Sequence, residues 1–177
     1  QGIVLTTNQL IGNLNLALNY QISPASIALS GSLSASMNFM VGCVALIPAA
    51  LFSGHTISLR IFLLPIFAFF VTMFLSGNSM LWIYWFRKYD DSSYILGLVI
   101  LILGYLSPFL YPFDILKPPL STFVSLNPLT SFILTFRWIV LDDQSIDIKR
   151  ISVVILFSSL FFVSGLRYFL TRWNEIL

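Results

Sequence analysis

Four runs of apolar residues divide the chain, and each is long enough to cross a bilayer as a helix. They lie near residues 25–52, 57–86, 93–111 and 151–170, and about 20 apolar residues suffice to span the hydrocarbon core. The first run contains a series of small residues, at Ser30, Gly31, Ser32, Ser34, Ala35 and Ser36. Small residues let helix backbones approach closely in lipid. This run therefore predicts a helix packed against other helices, with a pore-lining role as the alternative.

An amphipathic segment precedes the first run. Over residues 8–20 the apolar positions recur at helical spacing, at Leu10, Ile11, Leu14 and Leu18, and the other side carries Asn8, Asn15 and Asn19. Ser23 and Pro24 then interrupt the pattern. The segment predicts a helix that lies at the membrane surface or against a partner and does not cross the bilayer.

The second run has a cation near its start and aromatic residues near its end. Arg60 is placed where its side chain can reach the membrane surface. Around the charged turn at residues 87–91 lie Trp82, Tyr84, Trp85, Tyr89 and Tyr94. Such residues commonly form a belt at the membrane–water interface. An interfacial belt is therefore predicted, with stacking on sugar rings as the alternative.

The third run breaks in a way that inert anchoring does not explain. It is interrupted at Ser107-Pro108, passes Tyr111-Pro112 and three residues from Lys117 to Pro119, and restarts at Asn127-Pro128. Non-helical backbone at membrane depth persists only where protein or a water-filled cavity satisfies its polar groups. The interrupted segment therefore predicts a pathway through the membrane.

Asn127 and Pro128 suit the N-cap and the first turn of a helix over residues 128–141. An apolar stripe is predicted at Leu129, Phe132, Ile133, Phe136 and Val140, and off it lie Thr130, Ser131 and Arg137. Such a helix would be about 21 Å long, which is shorter than the hydrocarbon core of about 30 Å. It predicts a re-entrant helix that ends at Asp142-Asp143, with a surface helix as the alternative.

The composition supports a membrane protein and excludes several other classes. The chain is 58% hydrophobic and only 9% charged, whereas soluble domains have about 25% charged residues. The net charge of +2 gives no indication of nucleic acid binding. The sequence has a single cysteine and a single histidine, and it lacks both a phosphate-binding loop and a metal-ligand pattern. We expect no catalysis, no metal and no cofactor in this chain.

Counting the crossings places residues 8–24, the turn at 87–92 and the C-terminal tail on one face of the membrane, and residues 53–56 and 112–149 on the other. Basic residues are divided almost evenly between the two faces, so positive charge does not orient the chain. The first residues, from Gly2 to Leu5, read like the end of a longer apolar run. We therefore expect that a preceding part of the protein is missing here.

Two groups of residues carry a family resemblance. The run from Ser107 to Pro112, followed by Leu126 to Thr130 and by Phe136-Arg137, closely resembles the membrane subunits of ABC-2 type transporters. Within that class the chain looks most like the permeases that export polysaccharide, O-antigen or teichoic acid. The segment from Asn15 to Pro24 resembles the family's cytoplasmic coupling segment, although Asn19, Tyr20 and Gln21 stand where the family usually has lysines.

The resemblance implies an all-α membrane domain over residues 1–177, with four visible transmembrane helices that correspond to the third to sixth of six. It implies an amphipathic coupling helix, short re-entrant gate helices on the outer face and a cytoplasmic C-terminus. Two such chains would form a homodimeric channel in the bacterial cytoplasmic (inner) membrane, among its lipids. Two ABC ATPase subunits would dock beneath it, and ATP and magnesium would bind to those partners.

From these patterns and this resemblance we predict a permease subunit that exports a lipid-linked glycan. The predicted pathway and gate residues are Tyr105, Pro108, Phe109, Tyr111, Asn127, Pro128 and Arg137. The predicted ATPase-coupling residues are Asn15, Leu18, Asn19, Tyr20 and Pro24. The alternatives are a drug or lipid exporter of the same class, a non-transporting membrane scaffold and a membrane-embedded transferase.

Overall fold

The computed structural model describes residues 2–13, 24–52, 58–89, 91–108, 111, 113–141 and 147–172. Within these residues it has seven α-helices, which are α1 Gly2–Gly12, α2 Pro24–Phe52, α3 Leu64–Lys88, α4 Ser92–Leu106, α5 Leu120–Leu126, α6 Pro128–Val140 and α7 Ile148–Thr171. Short 3-10 helices at Leu59–Leu63 and Phe113–Ile115 precede α3 and α5. The prediction of an all-α membrane domain agrees with this architecture.

Two helices of the described chain are long and apolar enough to cross a membrane, at Leu59–Phe86 and Ile148–Thr171. The bent pair α5–α6 raises the number to three if it counts as one span. The other two predicted spans contain shorter apolar stretches, Leu29–Ala45 within α2 and Ser92–Leu106 in α4. Over the described residues, two of the four predicted spans are therefore helices long and apolar enough to cross a membrane.

The centre of the bundle is a close crossing of α3 and α7. A Cβ atom at Gly77 would collide with the carbonyl of Phe161, and one at Gly165 would collide with the carbonyl of Gly77. Phe74 packs on Phe161 near this crossing, with ring centroids 5.3 Å apart. The backbones touch because neither glycine has a side chain, which is the close approach that small residues permit between helices in lipid.

The helix α1 lies inside the bundle against α2 and α3. Leu10 is completely buried in a cluster with Met80, Ile83 and Phe169, and Thr6 and Thr7 are also buried. The surface helix predicted to begin near residue 8 is therefore wrong for residues 8–12, which form the end of a packed helix. Helical periodicity identifies an apolar face but not what covers it. Residues 14–20 of that prediction lie outside the described residues.

The small residues of α2 pack as predicted on one face. Gly31 lies against the side chain of Gln9 and the Thr6 carbonyl, so α1 covers this part of α2. Ser32 and Ser36 are buried, and the Ser36 hydroxyl forms a 2.5 Å hydrogen bond with Thr72 of α3. These contacts confirm the helix-packing interpretation of the first apolar run.

The predicted break after the third run is confirmed. The helix α4 ends at Leu106, and Ser107 has extended backbone angles of φ −87° and ψ 149°. The ring of a following proline disfavours helical angles at the preceding residue, so Pro108 accounts for this helix end. The span predicted to continue to residue 111 is thus shorter, with 15 residues in α4.

The helices α5 and α6 meet at an angle of 87°. We call the bend between them, at Asn127, the elbow. The helix predicted over residues 128–141 is confirmed at Pro128–Val140, and the Asn127 side chain accepts a hydrogen bond from the Leu129 N–H, as an N-cap should. Asp142 and Asp143, the predicted end of the helix, lie outside the described residues.

The buried face of α6 differs from the predicted apolar stripe. Thr130, Ser131 and Thr135 are buried with Phe132 and Ile139, whereas Ile133 and Phe136 are only half-buried. The Thr130 hydroxyl donates to the Val124 carbonyl of α5 at 2.7 Å. A hydroxyl that finds a partner in an adjacent turn can be buried at little cost, which a sequence pattern does not reveal.

Candidate functional site

One side chain holds the elbow together. Asn127 is 7% exposed, and its side-chain oxygen caps α6 by accepting from the Leu129 N–H at 3.0 Å. Its Nδ2 group donates to the Leu103 carbonyl at 3.0 Å and to the Ser107 hydroxyl at 2.9 Å. The same amide therefore starts α6 and fixes the elbow to the end of α4. These contacts satisfy polar groups exposed by the break at Pro108, as backbone within a membrane requires.

The predicted gate residues do not converge on one closed site. Pro108 is buried, in the turn beside Ser107, and Pro128 is the first residue of α6. The Tyr111 hydroxyl donates to the Leu106 carbonyl at 3.1 Å, so this ring folds back on the end of α4. Tyr105 is 65% exposed. Phe109 lies outside the described residues.

Tyr105 lines an open groove of about 830 Å³ between α1, α4 and α6. Its walls are mainly apolar and include Leu5, Leu98, Leu101 and Ile133. Tyr94 is the other tyrosine of the lining, and Ser107 also borders the groove, but its hydroxyl is already hydrogen-bonded to Leu103 and Asn127. A groove of this composition suits acyl chains or an apolar helix along most of its length. Hydrogen bonding to a polar group is possible at only a few positions.

Arg137 lines a second cavity of about 620 Å³ between α2, α3 and α6. The surrounding rings form a cluster in which Phe39 and Phe136 meet edge-on at 5.5 Å, and Phe67 lies 6.2 Å from Phe136. Arg137 is half-buried and supplies the only charged side chain among the lining residues described for this cavity. An arginine among aromatic rings can stack on their faces while presenting several N–H donors.

The far end of α6 is attached to the segment before α3. The Arg60 guanidinium lies 4.9 Å from the centre of the Trp138 ring, and its Nη1 donates to the Trp138 carbonyl at 3.4 Å. The Ser58 N–H donates to the Val140 carbonyl at 3.1 Å. Arg60, predicted to reach the membrane surface, thus contacts α6. The sequence gives no signal for this pair, whose members are 78 positions apart.

Basic and aromatic residues cluster where α3 and α7 end side by side. Lys88 Nζ lies 5.7 Å and the Arg172 guanidinium 5.6 Å from the centre of the Tyr84 ring. Arg172 also lies 5.6 Å from Tyr168, and Lys88 lies 5.5 Å from Tyr89. The interaction with Tyr84, and next that with Tyr89, raises the pKa of Lys88 above its ordinary value.

This cluster extends the predicted aromatic belt. Trp85 and Tyr89 stack with centroids 5.7 Å apart, and both are about half exposed, as side chains at a membrane interface are. The contribution of α7 was not predicted from the sequence. The sequence does contain a signal for it. Tyr168 and Arg172 are four residues apart, as are Tyr84 and Lys88, and residues at this spacing share a helix face.

Most of the predicted coupling residues cannot be placed. Asn15, Leu18, Asn19 and Tyr20 lie outside the described residues. Pro24 is the first residue of α2, which agrees with the predicted interruption before the first run. No group of three or more metal-binding side chains occurs in the described part of the chain.

Comparison with known protein families identifies the class. The family model for the ABC-2 type transporter matches residues 1–141. The chain therefore belongs to the ABC-2 type transporter family, and it is a multi-pass membrane permease whose ATP hydrolysis takes place on a partner ABC ATPase subunit. No curated protein matches the chain.

Proposed function

We propose that this chain is the permease subunit of an exporter that moves a lipid-linked polysaccharide or a similar glycoconjugate across the bacterial cytoplasmic membrane. Two copies would form the channel, and two ATPase subunits, which carry ATP and magnesium, would drive it. The segment from Asn15 to Pro24 would contact the ATPase. The observation that carries the proposal is the elbow at Asn127, where a broken helix pair is fixed to the end of α4 beside an open groove.

The elbow supports a pathway because it satisfies backbone groups that a simple anchor would not expose. The Leu103 carbonyl at the end of α4 accepts hydrogen bonds from the side chains of Ser107 and Asn127, and the Asn127 amide also donates to the Ser107 hydroxyl. Nothing in lipid would replace these hydrogen bonds. A helix pair bent by 87°, and attached both at its bend and at the end of α6, is a suitable element for closing the exit of a channel.

The groove supports a substrate with an apolar anchor. Its walls are mostly aliphatic, and the two exposed tyrosines, Tyr94 and Tyr105, are its polar points. The acyl or isoprenoid part of a lipid-linked glycan could lie along the aliphatic walls while the sugar part passes between the two subunits. Aromatic rings such as Tyr105 can stack on sugar rings near the exit.

The same groove also supports a second candidate, a lipid or drug exporter of this family. The apolar lining suits a substrate without any glycan, since few hydrogen-bonding groups are present along it. The two candidates differ in the substrate that stimulates ATP hydrolysis and is moved.

Reconstitution of the full-length permease with its ATPase partner tests the proposal. Vesicles would contain an isoprenoid-linked oligosaccharide, and an added lectin would report glycan that reaches the opposite leaflet. We expect ATP-dependent exposure of the glycan, and none with an ATPase partner that cannot hydrolyse ATP. Movement of a fluorescent lipid or drug without movement of the glycan would support the second candidate and contradict the first.

A further inference from the structure

Two cations from different helices meet at a single aromatic ring. Lys88 belongs to α3 and Arg172 follows the last residue of α7, and both lie within 6 Å of the centre of the Tyr84 ring. These two helices are the ones long and apolar enough to cross a membrane in the described chain. Since their ends lie together, the two cations occupy the same level of the membrane.

The spacing suits a single bridging anion. Because both cations lie within 6 Å of the centre of the Tyr84 ring, their charged groups are at most about 11 Å apart. Both belong to exposed residues with long side chains, so both side chains can turn toward one phosphate group beside the ring. Hydrogen bonds from arginine and lysine to phosphate are charge-assisted and stronger than neutral ones.

The depth of the site indicates the source of that phosphate. Trp85 and Tyr89 lie beside Lys88 and are about half exposed, which is typical of the headgroup level of a bilayer. Leu170, two residues before Arg172, is 57% exposed and offers an apolar surface just below that level. Phospholipids present a phosphate and an acyl chain in this same order.

We propose that Lys88, Arg172 and Tyr84 form a binding site for the headgroup of an anionic phospholipid. Lys88 and Arg172 contact the phosphate, and the Tyr84 ring keeps the two side chains together. Arg167, exposed five residues before Arg172, adds positive charge to this end of α7. The site is independent of the transported substrate, so its test does not depend on the function proposed above.

Titration of the intact permease–ATPase complex with a short-chain phosphatidylglycerol tests this site. The complex would be held in phosphatidylcholine nanodiscs, and retained lipid would be counted by native mass spectrometry. Each basic residue near an anionic surface strengthens binding about fivefold, so the double variant Lys88→Gln/Arg172→Gln should bind about 25-fold more weakly. The single variant Lys88→Gln should bind about fivefold more weakly, which provides a test if the double variant does not fold.

The matched control is Lys117→Gln/Lys149→Gln, which removes the same charge from exposed residues on the opposite predicted face. It should leave phosphatidylglycerol binding unchanged, and Tyr84→Phe, which keeps the ring, should do the same. Equal weakening by the control pair would overturn the proposal, as would unchanged binding by the double variant.

Three further results would also overturn it. Inorganic phosphate that competes at the same concentration as the lipid would indicate a general anion site. Loss of the ATPase from the double variant with unchanged lipid binding would indicate an acidic protein partner. An equal loss of thermal stability with and without phosphatidylglycerol would indicate that the cations only offset the partial negative charge at the two helix ends.

Discussion

At the scale of single residues, Asn127 has two roles that can be separated by substitution. Asn127→Ser keeps a side-chain oxygen for the cap of α6 but loses the donors to Leu103 and Ser107. Asn127→Ala loses both. We expect Asn127→Ala to lower the free energy of unfolding by about 2–4 kcal/mol, and the serine variant to lose about 1 kcal/mol less, because it retains the cap.

Thermal unfolding of the purified protein in detergent would measure both changes. The control is Ser125→Ala, at an exposed position two residues before the elbow, which should change stability by no more than about 0.5 kcal/mol. Equal midpoints for the alanine and serine variants would show that the cap contributes nothing at this position.

We expect substitution of Arg137 to reduce transport without preventing folding. Its side chain lines the cavity between α2, α3 and α6, where an anionic substrate group or a lipid phosphate can meet it. Arg137→Ala should reduce export at least about tenfold, the effect of losing one charged contact of about 1.4 kcal/mol or more, and assembly of the proposed dimer should remain intact.

Export in vesicles and size-exclusion chromatography would measure the two properties of the Arg137 variant. Arg137→Lys is the control, since it keeps the charge but not the planar group of N–H donors. Wild-type export by Arg137→Ala would remove this residue from the mechanism, and anchoring to headgroups would then be its role.

At the scale of helices, the crossing of α3 and α7 should tolerate no added side chain. Gly165→Ala places a Cβ against the Gly77 carbonyl, so the helices must separate. We expect a loss of at least about 2 kcal/mol of unfolding free energy. Gly97→Ala in α4 is the control, because a Cβ there meets nothing within 4 Å, and it should be neutral or stabilise the helix by up to about 1 kcal/mol. Thermal midpoints that fall equally in both variants would contradict the close crossing.

The attachment of α6 to the segment before α3 can be measured by a double-mutant cycle. Arg60→Gln and Trp138→Leu should be coupled by about 0.5–2 kcal/mol, since the guanidinium lies over the Trp138 ring; the hydrogen bond to the Trp138 carbonyl is not removed by Trp138→Leu and does not enter the coupling. Lys88→Gln combined with Trp138→Leu is the control, because Lys88 lies at the other end of α3. Additive effects for Arg60 and Trp138 in unfolding experiments would rule out the contact.

The helices themselves could be predicted from local sequence, whereas their partners could not. Asn127-Pro128 and Ser107-Pro108 mark the start of α6 and the end of α4 because capping and proline geometry act over a few residues. The contacts of Gly77 with Gly165 and of Arg60 with Trp138 join distant positions, which no local pattern encodes. The buried face of α6 was predicted wrongly for the same reason: Thr130 is buried because its partner is Val124 of another helix.

At the scale of the whole molecule, the arrangement predicts which residues share a side of the membrane. Cys43 is the only cysteine, so Cys43→Ala gives a background in which single cysteines can be labelled. Tyr89→Cys and Arg172→Cys lie at the end where α3 and α7 finish, and Lys149→Cys lies at the start of α7. With the cytoplasmic C-terminus that the family resemblance implies, an impermeant maleimide added to intact cells should label only Lys149→Cys.

Permeabilised cells provide the control for this experiment, since all three cysteines should then react. Labelling of Arg172→Cys and Lys149→Cys from the same side of intact cells would show that α7 does not span the membrane.

The contact between Gly77 and Gly165 also limits how the molecule can move. Sliding α7 along α3 by one residue would place a side chain where only a hydrogen atom fits. We therefore expect the two helices to keep their register and to move as one rigid pair. We expect a displacement at the end that carries Lys88 and Arg172 to be transmitted along the pair. Because the pair does not shear, we expect opening of the proposed channel where the packing is loose, at the boundary of α4 with α1 and α6.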